Sequence, residues 1–187
     1  MRRSSLIAFA FIIGIHCNAQ FYKSFFPSGA FTDSLTKVVL DFRFNYKAVQ
    51  GEALPSQNGA EVYRSKVKLP GAEHCIIYRF HSLEDTTASW QAIMYTGDNY
   101  KEAVKIYKNT FRLVKKSQMR WTDRSPISFS GELQEPDESV RFTVSKLKPR
   151  LIDMAYRDFY AEVELTGTFD SWEVHLNLHN RRNDMEE

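Results

Sequence analysis

Residues 159–179, FYAEVELTGTFDSWEVHLNLH, alternate apolar and polar side chains almost without a break. Successive strand residues point to opposite faces, so this period of two predicts two strands, each with an apolar and a polar side. The tetrapeptide GTFD turns the chain between them. Pairing Thr166 with Ser171 sets Leu165 beside Trp172, Val163 beside Val174, Ala161 beside Leu176 and Phe159 beside Leu178. The other face then pairs Glu164 with Glu173, Glu162 with His175, Tyr160 with Asn177 and Asp158 with His179. A chain with this hairpin has to bury one face of a sheet and leave the other to water or a partner.

Helices supply the cover. In residues 98–117, Tyr100, Ala103, Val104, Tyr107, Phe111 and Val114 recur at steps of three and four, which places them on one helical face. Asp98 or Asn99 can cap the start, the latter as a capping box with Glu102, and Arg112, Lys115 and Lys116 suit the negative end of the helix dipole. A second helix is expected over 33–50, with Leu35, Val38, Val39, Phe42, Tyr46 and Val49 as its stripe and Gly51 as its C-terminal cap. Strands are expected at 62–69, 74–81, 89–96, 127–134, 139–147, 159–166 and 171–179, with a Pro70-Gly71 turn between the first two. Residues 51–61 read as a loop, the stretch after the 98–117 helix as irregular, and 148–158 as either a short helix or a wide loop. The expected class is α+β, an antiparallel meander of about seven strands with two amphipathic helices on one face.

The order of elements suggests an internal αβββ duplication. An offset of 65 superposes the two helical stripes, 66 brings Tyr63 onto Phe129 and Ile76 onto Phe142, and 70 brings Ile93 onto Val163. The resulting division is a leader at 1–19, an extended lead-in at 20–32, units at 33–97 and 98–180, and a polar tail at 181–187.

The leader reads as a secretory signal. Arg2 and Arg3 precede the apolar run Leu6–Ile15, and Cys17-Asn18-Ala19 offers small residues for cleavage before Gln20. Ten apolar residues are too few to cross a bilayer, which takes about 20. Acylation at Cys17 is the alternative, and the bulky His16 before it argues for ordinary cleavage. The product is expected to be periplasmic or extracellular, with no transmembrane segment left. Of 25 basic residues, cleavage removes Arg2 and Arg3, so the formal charge falls from +2 to zero against 23 acids. A neutral chain has no global attraction for nucleic acid. Only Cys75 remains of the two cysteines, so an internal disulfide is impossible.

No G-x-S-x-G, Walker loop, dinucleotide fingerprint, C-x-x-C, H-E-x-x-H or EF-hand spacing is present. No catalytic, metal or cofactor residue is assigned. Cys75 adjoins His74, but strand neighbours face opposite ways, so the pair is badly set for a thiolate nucleophile. His175 and His179 lie about 13 Å apart along a strand, too far for one zinc, although His175, Glu162 and a third ligand could hold one. The residues singled out for a partner are the cation stripe Lys101, Lys105, Lys108, Arg112 and Lys115, together with Trp121 and Arg124. The polar sheet face offers Glu162, Glu164, Glu173 and His175. Three functions fit: a binding protein for a macromolecular or cell-envelope partner, a carrier holding an apolar ligand among Tyr46, Tyr78, Tyr107 and Phe111, or a hydrolase using that polar face.

Overall fold

The computed structural model describes residues 26–81, 86–121, 125–151 and 153–180. The expected signal with Cys17, most of the lead-in, Arg124 and the polar tail lie outside the described residues.

Helix α1 (Gly29–Asp41) starts inside the expected lead-in because Ser28 caps it, its Oγ accepting from Phe31 N at 3.1 Å. It also ends well before residue 50. A 3-10 turn at Phe42–Phe44 tightens the chain, and Asn45 and Tyr46 then take left-handed φ of 56° and 57°. Tyr46 still reaches the core, where its hydroxyl donates to the Leu178 carbonyl at 2.7 Å. Asp41 Oδ2 accepts from Val49 N at 2.9 Å and ties off the turn. Gly51 is therefore not a helix cap. It sits in strand β1 (Gln50–Gln57), where a Cβ would stand 2.7 Å from the Arg64 carbonyl oxygen.

Eight further strands follow: β2 (Ala60–Ser65), β3 (His74–His81), β4 (Thr86–Gly97), β5 (Met119–Arg120), β6 (Pro126–Gly131), β7 (Phe142–Arg150), β8 (Phe159–Gly167) and β9 (Trp172–Asn180). They make one antiparallel sheet in the order β1-β2-β3-β4-β9-β8-β7-β6-β5. The count is nine rather than seven, and both additions are edges. β1 carries Pro55 and two register irregularities, which blunt an edge strand and explain why its composition reads as a loop. β5 is two residues long. The ambiguous segment divides: 148–150 complete β7, and Asp153 caps a 3-10 turn at Met154–Tyr156. Among the described residues no helix is long and apolar enough to cross a membrane.

Helix α2 (Tyr100–Lys116) leaves β4 and lies across β4, β9, β8 and β6. Asn99 Oδ1 accepts from Glu102 N at 3.1 Å, as the capping pattern requires. Its stripe and that of α1 pack into one core with Trp90, Met94, Phe159, Val163, Val174 and Leu176. The topology does not display the expected duplication. The sequence offsets match β4 with β8, whereas the sheet joins its two meanders through β4 and β9.

The last hairpin keeps its faces and changes its register by two residues. Gly167 pairs with Trp172, Thr166 with Glu173, Glu164 with His175, Glu162 with Asn177 and Tyr160 with His179. Leu165 is therefore opposite Val174, not Trp172. The cause is local. The Trp172 ring lies over Gly167, where a Cβ would be 2.7 Å from ring carbon Cζ3, and the Arg141 guanidinium sits 5.1 Å from the ring centre. Only glycine leaves room for that stack. The turn then closes through Thr168 N donating to the Ser171 carbonyl at 2.8 Å.

Candidate functional site: the open face of the sheet

Alternation along the strands sends every second side chain away from the helices. On β8 and β9 these are Tyr160, Glu162, Glu164 and Thr166, and Glu173, His175, Asn177 and His179. β4 adds Ser89 and Gln91, β3 adds Ile76, Tyr78 and Phe80, and β7 adds Lys146, Lys148 and Arg150.

Two interlocked networks run across the strands. Gln91 Nε2 donates to Asn177 Oδ1 at 2.9 Å, Asn177 Nδ2 to Glu164 Oε2 at 3.2 Å, and Thr166 Oγ1 to Glu164 Oε1 at 2.6 Å. Beside that ladder, Glu162 lies between Lys146 and His179, with Lys146 Nζ 3.1 Å from Oε1 and His179 Nε2 3.0 Å from Oε2. Burial pushes the Glu162 carboxyl up, but the hydrogen bonds and charges of His179 and Lys146 outweigh it and bring the pKa down to about 2. Glu162 is thus a fixed anion at neutral pH.

A concavity of about 490 Å³ opens at this network, bordered by Tyr78, Phe80 and Gln91 on one side and Glu162, Asn177 and His179 on the other. The Tyr78 and Phe80 rings are near-parallel, 6.3 Å apart and inclined by 25°, and Phe80 is 47% exposed. The site thus pairs an apolar platform with planar hydrogen-bonding groups.

The residues singled out from sequence are only partly brought together. Glu162, Glu164 and His175 share the middle of the open face, with Glu164 rather than Glu162 opposite His175. Glu173 faces Thr166, so the expected Glu164–Glu173 pair does not form. His175 Nε2 is 3.0 Å from Glu173 Oε2 but out of line for a hydrogen bond. Among the described residues no three His, Cys, Asp or Glu side chains are grouped to hold a metal. On α2, Lys108 pairs with Glu135 at 2.5 Å and the exposed Lys115 donates to the Gly131 carbonyl at 2.8 Å, which leaves Lys101, Lys105 and Arg112 as the exposed members of the stripe without a partner among the described residues. Trp121 is half-buried, edge-on to Tyr156 at 5.3 Å and 5.6 Å from the Arg43 guanidinium. Cys75 packs in the core, where burial pushes its thiol up to about 11.

Sequence reasoning missed Phe80, Gln91, Lys146, Lys148 and Arg150, and named Tyr78 only as lining for a carrier. For the cations a signal existed: KLKPR alternates as cleanly as the last hairpin, with Leu147 and Pro149 facing inward. Pro149 disguised it as a break, yet it lies past the last β7–β8 pair, Leu147 with Ala161, where a missing N–H is tolerated. Compared with family models, with curated proteins and with solved structures, the chain matches none.

Proposed function

We propose that the chain is an exported, non-catalytic binding protein whose open sheet face receives a macromolecular or cell-envelope partner. The observation that carries this reading is the concavity at Tyr78, Phe80, Gln91 and Asn177, which sets exposed rings beside a polar network already held in place. Preorganised groups lose little freedom on binding, so contact energy is retained as affinity. Export rests on the leader at 1–19. The face is favoured over the basic flank of α2, where Lys108 and Lys115 already have partners within the chain.

The other two readings have less support. A carrier would need Tyr46, Tyr78, Tyr107 and Phe111 around one space, but Tyr46 and Tyr107 are fully buried under the helices and Tyr78 lies on the opposite face. Both buried hydroxyls are engaged, Tyr46 with Leu178 and Tyr107 with Ser145 and the Gln134 carbonyl. A hydrolase on this face would have Glu162 only as an anion held against Lys146 and His179, so Glu162 could not be its proton donor.

The test is a photo-cross-linking residue at Gln91 and, separately, at Lys105, in the chain exported by its own signal. A discrete adduct from position 91 and none from 105 is expected. Adducts from 105 alone would move the seat to the helix, and none from either would overturn the reading. Native mass spectrometry of the same material should give a chain starting at Gln20, whereas a diacylated product at Cys17 would mean a membrane-tethered protein.

A further inference from the structure

The open face is not uniform, and the order of its chemistry across the strands narrows what can lie on it. Tyr78 and Phe80 stand on β3, the amide and carboxylate network on β4, β9 and β8, and a row of cations on β7. Of that row, Lys146 is paired with Glu162. Lys148 and Arg150 are exposed, and among the described residues neither has a carboxylate within 4.0 Å. Lys148 Nζ lies 5.5 Å from the Tyr160 ring centre, and directly across β6 the backbone pairs set Ser130 beside Lys148 and Ser128 beside Arg150. The Ser130 hydroxyl donates to the Lys148 carbonyl at 3.4 Å, which leaves the two exposed cations and the Ser128 hydroxyl as an anion-receiving strip.

From β3 to β7 is four strand spacings, about 19 Å. A small metabolite cannot reach from the rings to the strip, and an extended oligomer can. Its middle must not be anionic, because the line from Tyr78 to Lys148 runs over His179 and Tyr160 with Glu162 in the adjoining row and Glu164 beyond it. It must also donate and accept hydrogen bonds, as hydroxyls do: Gln91 Oε1 carries no bond among the described residues, and Gln91 and Asn177 each keep an amide hydrogen free. A single-stranded nucleic acid would likewise stack on aromatics, but it carries a phosphate on every unit and would place several against those carboxylates.

We infer that the open face binds an oligosaccharide laid across the strands, with a neutral sugar on the Tyr78–Phe80 rings and an acidic group at Lys148 and Arg150. Sugar rings carry an apolar C–H face that packs on aromatic rings and a rim of hydroxyls that suits amides and carboxylates. The inference rests on the binding reading above and names its ligand class.

The experiment is an array of immobilised oligosaccharides in matched neutral and singly acidic forms, including lacto-N-tetraose and its sialylated pentasaccharide, probed with the full mature chain. Acidic members should be retained over their neutral parents. The double variant K148Q/R150Q should lose at least about tenfold on the acidic members only, and Phe80→Ala should weaken both series. Both sets of side chains are exposed, and unchanged melting would show that the variants fold. Retention indifferent to K148Q/R150Q, or no retention of any member, would overturn the inference. Cross-linking from position 91 separates the two levels: no glycan retained but a protein adduct at 91 leaves the binding reading standing, and neither signal removes both.

Discussion

The two sides of β8 and β9 are built from the same residues taken alternately, yet they do opposite things. Toward the helices, Val163, Leu165, Val174 and Leu176 are essentially inaccessible and belong to one packed core. One residue along, Glu162, Glu164, His175 and Asn177 face outward, and all but His175 are held by side-chain bonds across the strands instead of being covered. Stability comes from the covered side, where burying a large aliphatic side chain is worth about 1.5–3 kcal/mol. The open side holds its shape by satisfying most of its own polar groups, and surface pairs contribute about 0–1 kcal/mol, the largely buried Glu162 somewhat more. A face that does little for stability is free to be used for recognition.

Neighbouring substitutions test that division most directly. Leu176→Ala should cost about 3 kcal/mol in a denaturant melt, from lost transfer energy and the cavity left behind. Asn177→Ala, the next residue, should cost less than about 1 kcal/mol. Equal costs would mean that the open ladder is structural rather than available.

Next in size are the polar groups of the covered side. Tyr107→Phe should lower stability by about 1.5 kcal/mol, since Ser145 loses its hydroxyl partner in a buried setting. If Tyr107→Phe proves neutral, the interior around β7 is wetter than its burial implies.

Acid provides a probe of the open side alone. The folded pKa of Glu162, about 2, lies below an unfolded value of about 4.3, so its contribution is fully present above the higher value. That contribution is lost as pH falls from roughly 4.5 through 2. With Lys146 43% exposed, screening limits it to about 1–2 kcal/mol. The Glu162→Gln chain should therefore show a flatter fall in melting temperature over that range than the parent, and equal slopes would count against the Lys146–Glu162–His179 arrangement. The smallest effect is expected from K148Q/R150Q, within about 0.5 kcal/mol of the parent, because both side chains extend into solvent.

Much of the covered side was legible before the structure. Helix α2 has both its stripe and its cap in the sequence, and Asn99 forms the bond that the spacing implies. Helix α1 was overextended because Phe42, Tyr46 and Val49 continue its spacing while the chain itself turns left-handed at Asn45 and Tyr46. Apolar spacing records which residues are buried, and not by what backbone path. The hairpin shows the same limit: alternation fixes which face a residue takes, but a two-residue slip leaves both faces intact. The choice was made by Trp172 needing Gly167 beneath its ring. On the open side, HCIIYRFH runs apolar without a break from Cys75 to Tyr78, so periodicity could not separate Tyr78 and Phe80 from Cys75 and Ile77.

The central pairing of β4 with β9 has a kinetic consequence. Trp90 and Leu178 are neighbours in the sheet although 88 positions apart in the chain, so the two meanders cannot join until β9 has emerged from the ribosome. Closing such a long loop is a slow step, and structure dominated by distant contacts folds late. Until then α2 lacks β9, one of the strands it packs on, beneath it. Deleting 172–180 should leave two open meanders with exposed edges at β4 and β8, a species inclined to aggregate rather than a shortened native protein.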